Sequence, residues 1–331
     1  YYYFIEDVAG GDRDLQVLYG IDGATEIEES TLDHLEGYEE SKPVRIGNGA
    51  YNQKQHDVWG SLLDSVYIHT KNRDQLPESA WPILVRQVEQ AIEHWREPDR
   101  GIWEVRGEPQ HFVSSKVFCW VACDRGARLA RLRNDQERAE RWEAVANEIK
   151  ADVMENGIDP ETGRFRQHYG TNELDAALLL IPLVRFLPPD DPHVLATVLG
   201  IAEDLTEDGF VLRYRTDTTD DGLSGKEGSF AICSFWLVSA LVDIGYLEYA
   251  RTLCEKLLSF SSPLQLYAEE IDAATGRHLG NFPQAFTHLA LINAVMKLIA
   301  AEDEYATEHE ELDISRPALA PVPNGNVVPP A

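Results

Sequence analysis

Lysine is scarce in this chain. Of 29 basic residues in 331 only eight are Lys, against 57 acidic residues, which leaves a net charge of −28. So acidic a surface argues against nucleic-acid or anionic-membrane partners. It suits either a salt-rich interior or an ordinary acidic enzyme. Cysteine is also rare: Cys119, Cys123, Cys233 and Cys254 are the full set. Three lie in apolar helical runs, where free Cys packs as a small hydrophobe. Cys119 and Cys123 sit four apart with no His or second Cys pair to complete a zinc set, so no metal is expected. All four are read as reduced, in a cytoplasmic protein. No uninterrupted apolar run reaches ~18 residues, so no membrane span is expected.

What is abundant is core material. Forty-four per cent of the residues are apolar and nine per cent aromatic, which excludes general disorder. Apolar residues recur at helical spacing through Val58, Trp59, Leu62, Leu63, Val66 and Tyr67, and again through Trp81, Leu84, Val88, Ile92 and Trp95. The pattern predicts helices at roughly 55–70, 77–96, 111–133, 135–153, 172–187, 192–207, 230–243, 245–260 and 284–300. The segments at 174–186, 230–244 and 285–299 are apolar nearly all round, as buried helices are. Those at 77–96, 135–153, 192–207 and 245–260 are amphipathic and belong outside. Alternation of inner and outer helices predicts an all-α chain, an (α/α)6 barrel with five of its six inner helices present. Residues 1–7 look like the end of a preceding outer helix. The expected organisation is a barrel over residues 1–302, incomplete at its N-terminus, and a flexible acidic and Pro-rich tail over 303–331.

Long Gly-rich and aromatic linkers precede each inner helix, at 37–52, 101–110, 164–171, 213–229 and 267–283. Parallel inner helices would gather these five at one mouth, and loops on a rigid scaffold are where function concentrates. Two of them carry a carboxylate in a distinctive setting: Gly101-Ile-Trp-Glu104-Val-Arg-Gly107, and Tyr267-Ala-Glu269-Glu270-Ile-Asp272. Paired carboxylates on one rim suit glycoside hydrolysis, where one protonates the leaving oxygen and the other activates water. An acid must keep its proton near neutrality, which a desolvated place beside Trp103 favours. For the base, Glu269 is preferred, with Glu270 as the alternative.

The chain resembles the later part of the catalytic domain of glycoside hydrolase family 15, the glucoamylases with their trehalase and glucodextranase relatives. The resemblance rests on Pro43-Val-Arg-Ile-Gly-Asn48, the Trp103-Glu104 segment, Leu174-Asp-Ala-Ala-Leu-Leu-Leu-Ile-Pro182, Glu227-Gly-Ser-Phe230 and Gly280-Asn-Phe-Pro-Gln-Ala-Phe286. They occur in order between about residues 9 and 300, and only together are they specific. The resemblance implies an (α/α)6 barrel that hydrolyses an α-glucosidic bond with inversion and needs no cofactor. It places the general acid at Glu104 and the general base at Glu269, and it gives Arg213 a glucose hydroxyl to hold. The carboxylate that often follows the acid is replaced by Val105, as in many bacterial members. The family's Trp-Leu-Arg-Asp segment and the β-sandwich domain usual in prokaryotic members are missing, so the chain is expected to be part of a longer enzyme.

Other mouth residues read as sugar contacts or as structure. Trp103 and Tyr169 would stack on pyranose faces or fill the core. Asn48 and Gln55 would hydrogen-bond hydroxyls or cap a helix, and Glu227 would do either at a helix N-terminus. The expected substrate is an α-glucoside, trehalose first, with α-glucans cleaved by a glucoamylase or glucodextranase as the alternative. A non-catalytic carbohydrate-binding scaffold is the rival from another class. It would be expected to have lost Glu104 or Glu269, and both are present.

Overall fold

The fold is that of a computed structural model, which describes residues 15–40, 42–72, 76–216 and 228–314. Nine α-helices are described: α1 (Asp57–Asn72), α2 (Trp81–His94), α3 (Val113–Leu132), α4 (Gln136–Asn156), α5 (Leu180–Leu183), α6 (Pro192–Asp204), α7 (Ala231–Asp243), α8 (Leu247–Ser259) and α9 (Ala285–Ile314). A 3-10 turn, Ala176–Leu179, leads into α5. Starts are set by local chemistry. The Asp135 carboxylate accepts from Arg138 N at 3.2 Å to open α4. Asp191 accepts from His193 N at 2.9 Å to open α6, with Pro192 in the first turn, where its missing N–H costs nothing.

Alternation of inner and outer helices is the architecture, as the periodicity predicts. The inner α3 packs on α1, and each borders the outer α2; α3 also packs on the outer α4. Further round, α7 packs on α5, α8 and α9. Helices α3 and α7 are buried over nearly their whole length, whereas α2, α4 and α8 bury one face only. Leu63, Leu84 and Leu129 are fully withdrawn from water, each contributing about 1.5–3 kcal/mol of hydrophobic stabilisation. Close approach of α1 to α3 depends on Gly60, where a Cβ would stand 2.1 Å from the Phe118 carbonyl oxygen.

Two expectations need correcting. The helix expected over 172–187 is only the 3-10 turn and the one-turn α5. Pro182 supplies no N–H, and its ring crowds the carbonyl four residues back, so the chain winds tighter there and stops. The tail expected from residue 303 begins as helix, because α9 runs to Ile314. That stretch has no Gly or Pro, and Glu302 accepts from Arg251 Nε at 2.7 Å, tying α9 to α8. Ala285–Thr307, which polar residues such as Asn293 and Lys297 interrupt, is long and apolar enough to cross a membrane by length and composition alone. In this fold it takes an inner-helix place, with Ala290, Ala294 and Leu298 buried and Phe286, Leu289, Ile292 and Met296 exposed. Residues 1–7, Glu227 and 315–331 lie outside the described residues.

Strands are short and serve the mouth. β1 (Ser30–Thr31) pairs with β2 (Arg45–Ile46), and β3 (Thr206–Glu207) with β4 (Phe210–Val211). A three-stranded sheet of β5 (Ser229–Phe230), β6 (Glu270–Ile271) and β7 (His278–Leu279) is antiparallel throughout, with Phe230 opposite Glu270 and Glu270 opposite Leu279.

Candidate active site

All five linkers meet. Asn48 Nδ2, from the first, donates to Glu104 Oε2 in the second at 3.2 Å. The Gln167 amide, from the third, donates to Asp175 Oδ2 at 3.0 Å, and Asp175 Oδ1 accepts from Trp103 Nε1 at 2.8 Å. Arg213, from the fourth, places its guanidinium 5.7 Å from the Trp103 ring and 4.5 Å from that of Phe230. Phe230 in turn pairs with Glu270 in the fifth. The convergence expected from alternating helices is therefore built from specific contacts.

The acid loop is a closed excursion. Asp99 and Gln110 exchange backbone hydrogen bonds of 3.0 and 2.9 Å, pinching residues 99–110 at the base. Asp99 is 3% exposed, and one of its carboxylate oxygens accepts from His56 N at 2.9 Å and Ser115 Oγ at 2.8 Å. One buried carboxylate thus joins the acid loop to the N-termini of α1 and α3. Burial pushes its carboxyl up to about 6 even against those donors. Asp57 beside it is pushed up to about 7, chiefly by burial and then by the Asp99 charge. Burial and the Lys116 charge hold His56 down at about 4. Lys116, itself buried, donates to the carbonyls of Trp95 and Glu97, and burial lowers it.

At the tip, Glu104 has φ 55°, in the left-handed region that non-glycine residues seldom enter. Gln53 donates to the Glu104 carbonyl at 3.4 Å, and Gln55, 7% exposed, donates to Gln53. Trp103 lies 5.9 Å from both Phe230 and Trp236, its indole N–H held by Asp175. Asp175 also accepts from Ala177 N at 2.7 Å, opening the 3-10 turn, and burial raises its carboxyl.

The base loop is held by backbone pairing instead. Glu269 lies just before β6; its N–H donates to Asn281 O at 2.9 Å and its carbonyl accepts from Ala231 N at 3.0 Å. Glu269 Oε2 accepts from Asn281 N at 3.1 Å and Asn281 Nδ2 at 3.0 Å. Glu270 takes the opposite side of the strand, as successive strand residues must, and its Oε2 accepts from Gly228 N at 3.0 Å. The two glutamates, equivalent in composition, thus differ in what holds them.

The remaining expected residues fall as follows. Arg213 is 7% exposed within the aromatic cluster. The Tyr169 hydroxyl donates to Asp152 Oδ2 at 2.7 Å, and its ring stacks on His111 at 5.8 Å. Both its polar tip and one face are thereby engaged inside the protein. Beside the acid loop lies a cavity of about 820 Å³, walled by Tyr51, Gln53, Gln55, His56, Trp59 and His94 among others. Neither Glu104 nor Glu269 lines it. Residue-by-residue reading of the sequence passed over Asp99, Asp175 and Asn281. A signal for Asp175 existed, since a carboxylate between Leu174 and Ala176 in an apolar run must be buried with partners.

Comparison with known proteins bears on the family and the fold. The sequence profile of glycosyl hydrolases family 15 matches residues 1–247 and 245–296. Trehalase of Mycobacterium tuberculosis is 62% identical over 326 residues, 97% of this chain and 47% of its own length. Trehalase of Mycolicibacterium smegmatis is 63% identical over 308 residues, 92% of this chain and 46% of its own. The chain thus spans about half the length of these curated relatives. Among solved structures, a bacterial glucoamylase complexed with acarbose superposes with a TM-score of 0.63 at 13% identity, covering 75% of this chain and 41% of that one. Likeness at that identity speaks for the (α/α)6 fold alone. With a profile matched along most of its length and relatives this similar, the chain belongs to glycosyl hydrolases family 15.

Proposed function

We propose that this chain supplies both catalytic carboxylates of an inverting trehalase, with Glu104 as general acid and Glu269 as general base. The observation that carries the reading is that Glu104 and Glu269 stand on two loops of one mouth, each with one oxygen held and the other without a protein partner among the described residues. The choice of trehalose is supported by the two mycobacterial relatives named trehalase. In the reaction Glu104 gives its proton to the glycosidic oxygen as the bond from the anomeric carbon to that oxygen breaks. Glu269 takes a proton from the water that attacks the opposite face. In this reading Arg213 holds a glucose hydroxyl and the Trp103 ring stacks on a pyranose face. Gln55 belongs to the same rim. We also place the protein in a reducing cytoplasm, where its four free and buried cysteines would stay reduced.

Glucose release from trehalose and from maltooligosaccharides by the intact gene product tests this, with Glu104→Gln and Glu269→Gln beside it. Release from trehalose alone, falling on the order of 10²–10⁴-fold in both variants, is the expected result. Release from maltooligosaccharides would assign a glucoamylase, and activity surviving both substitutions would overturn the site.

A further inference from the structure

Each of the two mouth carboxylates has one oxygen tied by an asparagine carboxamide. Asn281 is bound reciprocally to Glu269: it receives the Glu269 N–H at its carbonyl, then returns its own N–H and Nδ2–H to Oε2 at 3.1 and 3.0 Å. The turn that allows this is Gly280, at φ 72°, where a Cβ would stand 2.8 Å from Glu269 Oε2. Only a residue without a side chain lets the chain fold back so closely onto that carboxylate. On the other side, Asn48 donates to Glu104 Oε2 at 3.2 Å, and its own Oδ1 accepts from Ala50 N at 2.7 Å. That second bond fixes the amide so that Nδ2, the donor end, faces the carboxylate. Among the described residues the partners of both carboxylates fall on Oε2 alone, so in each case Oε1 is the oxygen left for the reaction.

We propose that Asn281 and Asn48 are positioning residues that select which oxygen of the base and of the acid does the chemistry. Asn281 holds Oε2 of Glu269 so that Oε1 is turned to the attacking water. Asn48 occupies Oε2 of Glu104 as an acceptor, so the transferable proton resides on Oε1. A carboxamide serves both tasks because it donates without carrying a charge that would itself titrate. The two ties differ in number: two donors reach the base and one reaches the acid. The inference rests on the acid and base roles given above.

The test is the pH dependence of kcat/KM for trehalose in the intact gene product carrying Asn281→Ala, Asn281→Asp or Asn48→Ala, with Glu269→Gln alongside. Asn281→Ala is expected to lower kcat about tenfold with KM little changed, and to move the acidic limb upward, since one of two donors to the base is gone. Asn281→Asp sets a second carboxylate there and should move that limb further. Asn48→Ala is expected to move the alkaline limb upward and leave the acidic limb in place. A raised KM with both limbs unmoved would make these asparagines sugar contacts and overturn the proposal. Near-ultraviolet circular dichroism identifies any variant that fails to fold, and Asn281→Ser, which keeps a donor, should then recover part of the rate. If Glu269→Gln keeps full activity, the base assignment itself fails. If Glu269→Gln is inactive and the asparagine variants match the wild type, only the positioning role fails.

Discussion

The acid loop and the base loop solve the same task by different means. Side chains hold the first: Asp99 pins its base, Asp175 grips Trp103, and Glu104 sits on left-handed backbone between them. Backbone holds the second, through the β5–β6–β7 ladder and the return of the chain at Gly280. The difference shows where each loop is vulnerable. Buried carboxylates make the acid loop sensitive to pH and to loss of a single side chain. A ladder tolerates side-chain changes but not a change in the path of the chain.

Asp175→Ala should produce the largest effect on the Glu104 loop short of changing the proposed acid itself. It strands the Trp103 indole N–H and the Gln167 amide and removes the cap of the 3-10 turn. A loss of roughly 2–4 kcal/mol is expected from stranded donors and a lost cap together, read by denaturant unfolding. The matching break on the base side is Gly280→Ala. Its φ of 72° and the 2.8 Å approach to Glu269 predict destabilisation of roughly 1–2 kcal/mol and a fall in kcat as the carboxylate is pushed aside. Side-chain changes on the ladder, such as His278→Ser, should cost less than either.

A separate effect is in the pH dependence of stability. Folding raises the Asp57 carboxyl from 3.8 to about 7, so between those values the native state holds a proton that the unfolded chain has lost. Stability contributed by that protonation is full below about pH 4 and is lost as pH rises through 7. Asp57→Asn removes this dependence. The melting temperature of the variant should gain on that of the wild type from pH 5 to pH 8, and a constant difference across that range would show that Asp57 does not titrate there.

Much of this was legible from residues alone, for physical reasons. Helical periodicity reports burial directly, so the inner and outer helices were readable wherever the period ran unbroken. It failed at 172–187, where an apolar run looks helical but Pro182 dictates the backbone. It stopped short at residue 300, because the long-range Arg251–Glu302 pair that fixes α9 to α8 leaves no local trace. Glu104 and Glu269, the proposed acid and base, stand out in the sequence because each lies in a recognisable motif. Their supports do not. Asp99 and Asn281 act through backbone groups far away in sequence or through a turn of unusual path, and an isolated Asp or Asn before or after a loop looks like any solvated residue.

The central claim is a direct displacement by water between Glu104 and Glu269, and the anomers released from trehalose test it most directly. Both rings of trehalose are α-linked through one oxygen. Inversion at the attacked carbon gives β-glucose, while the departing ring keeps its configuration and leaves as α-glucose. Early proton NMR of a trehalose digest by the intact gene product should therefore show the two anomers in equal amounts before mutarotation. Release of α-glucose alone would contradict the account, because it would mean two displacements through a covalent intermediate.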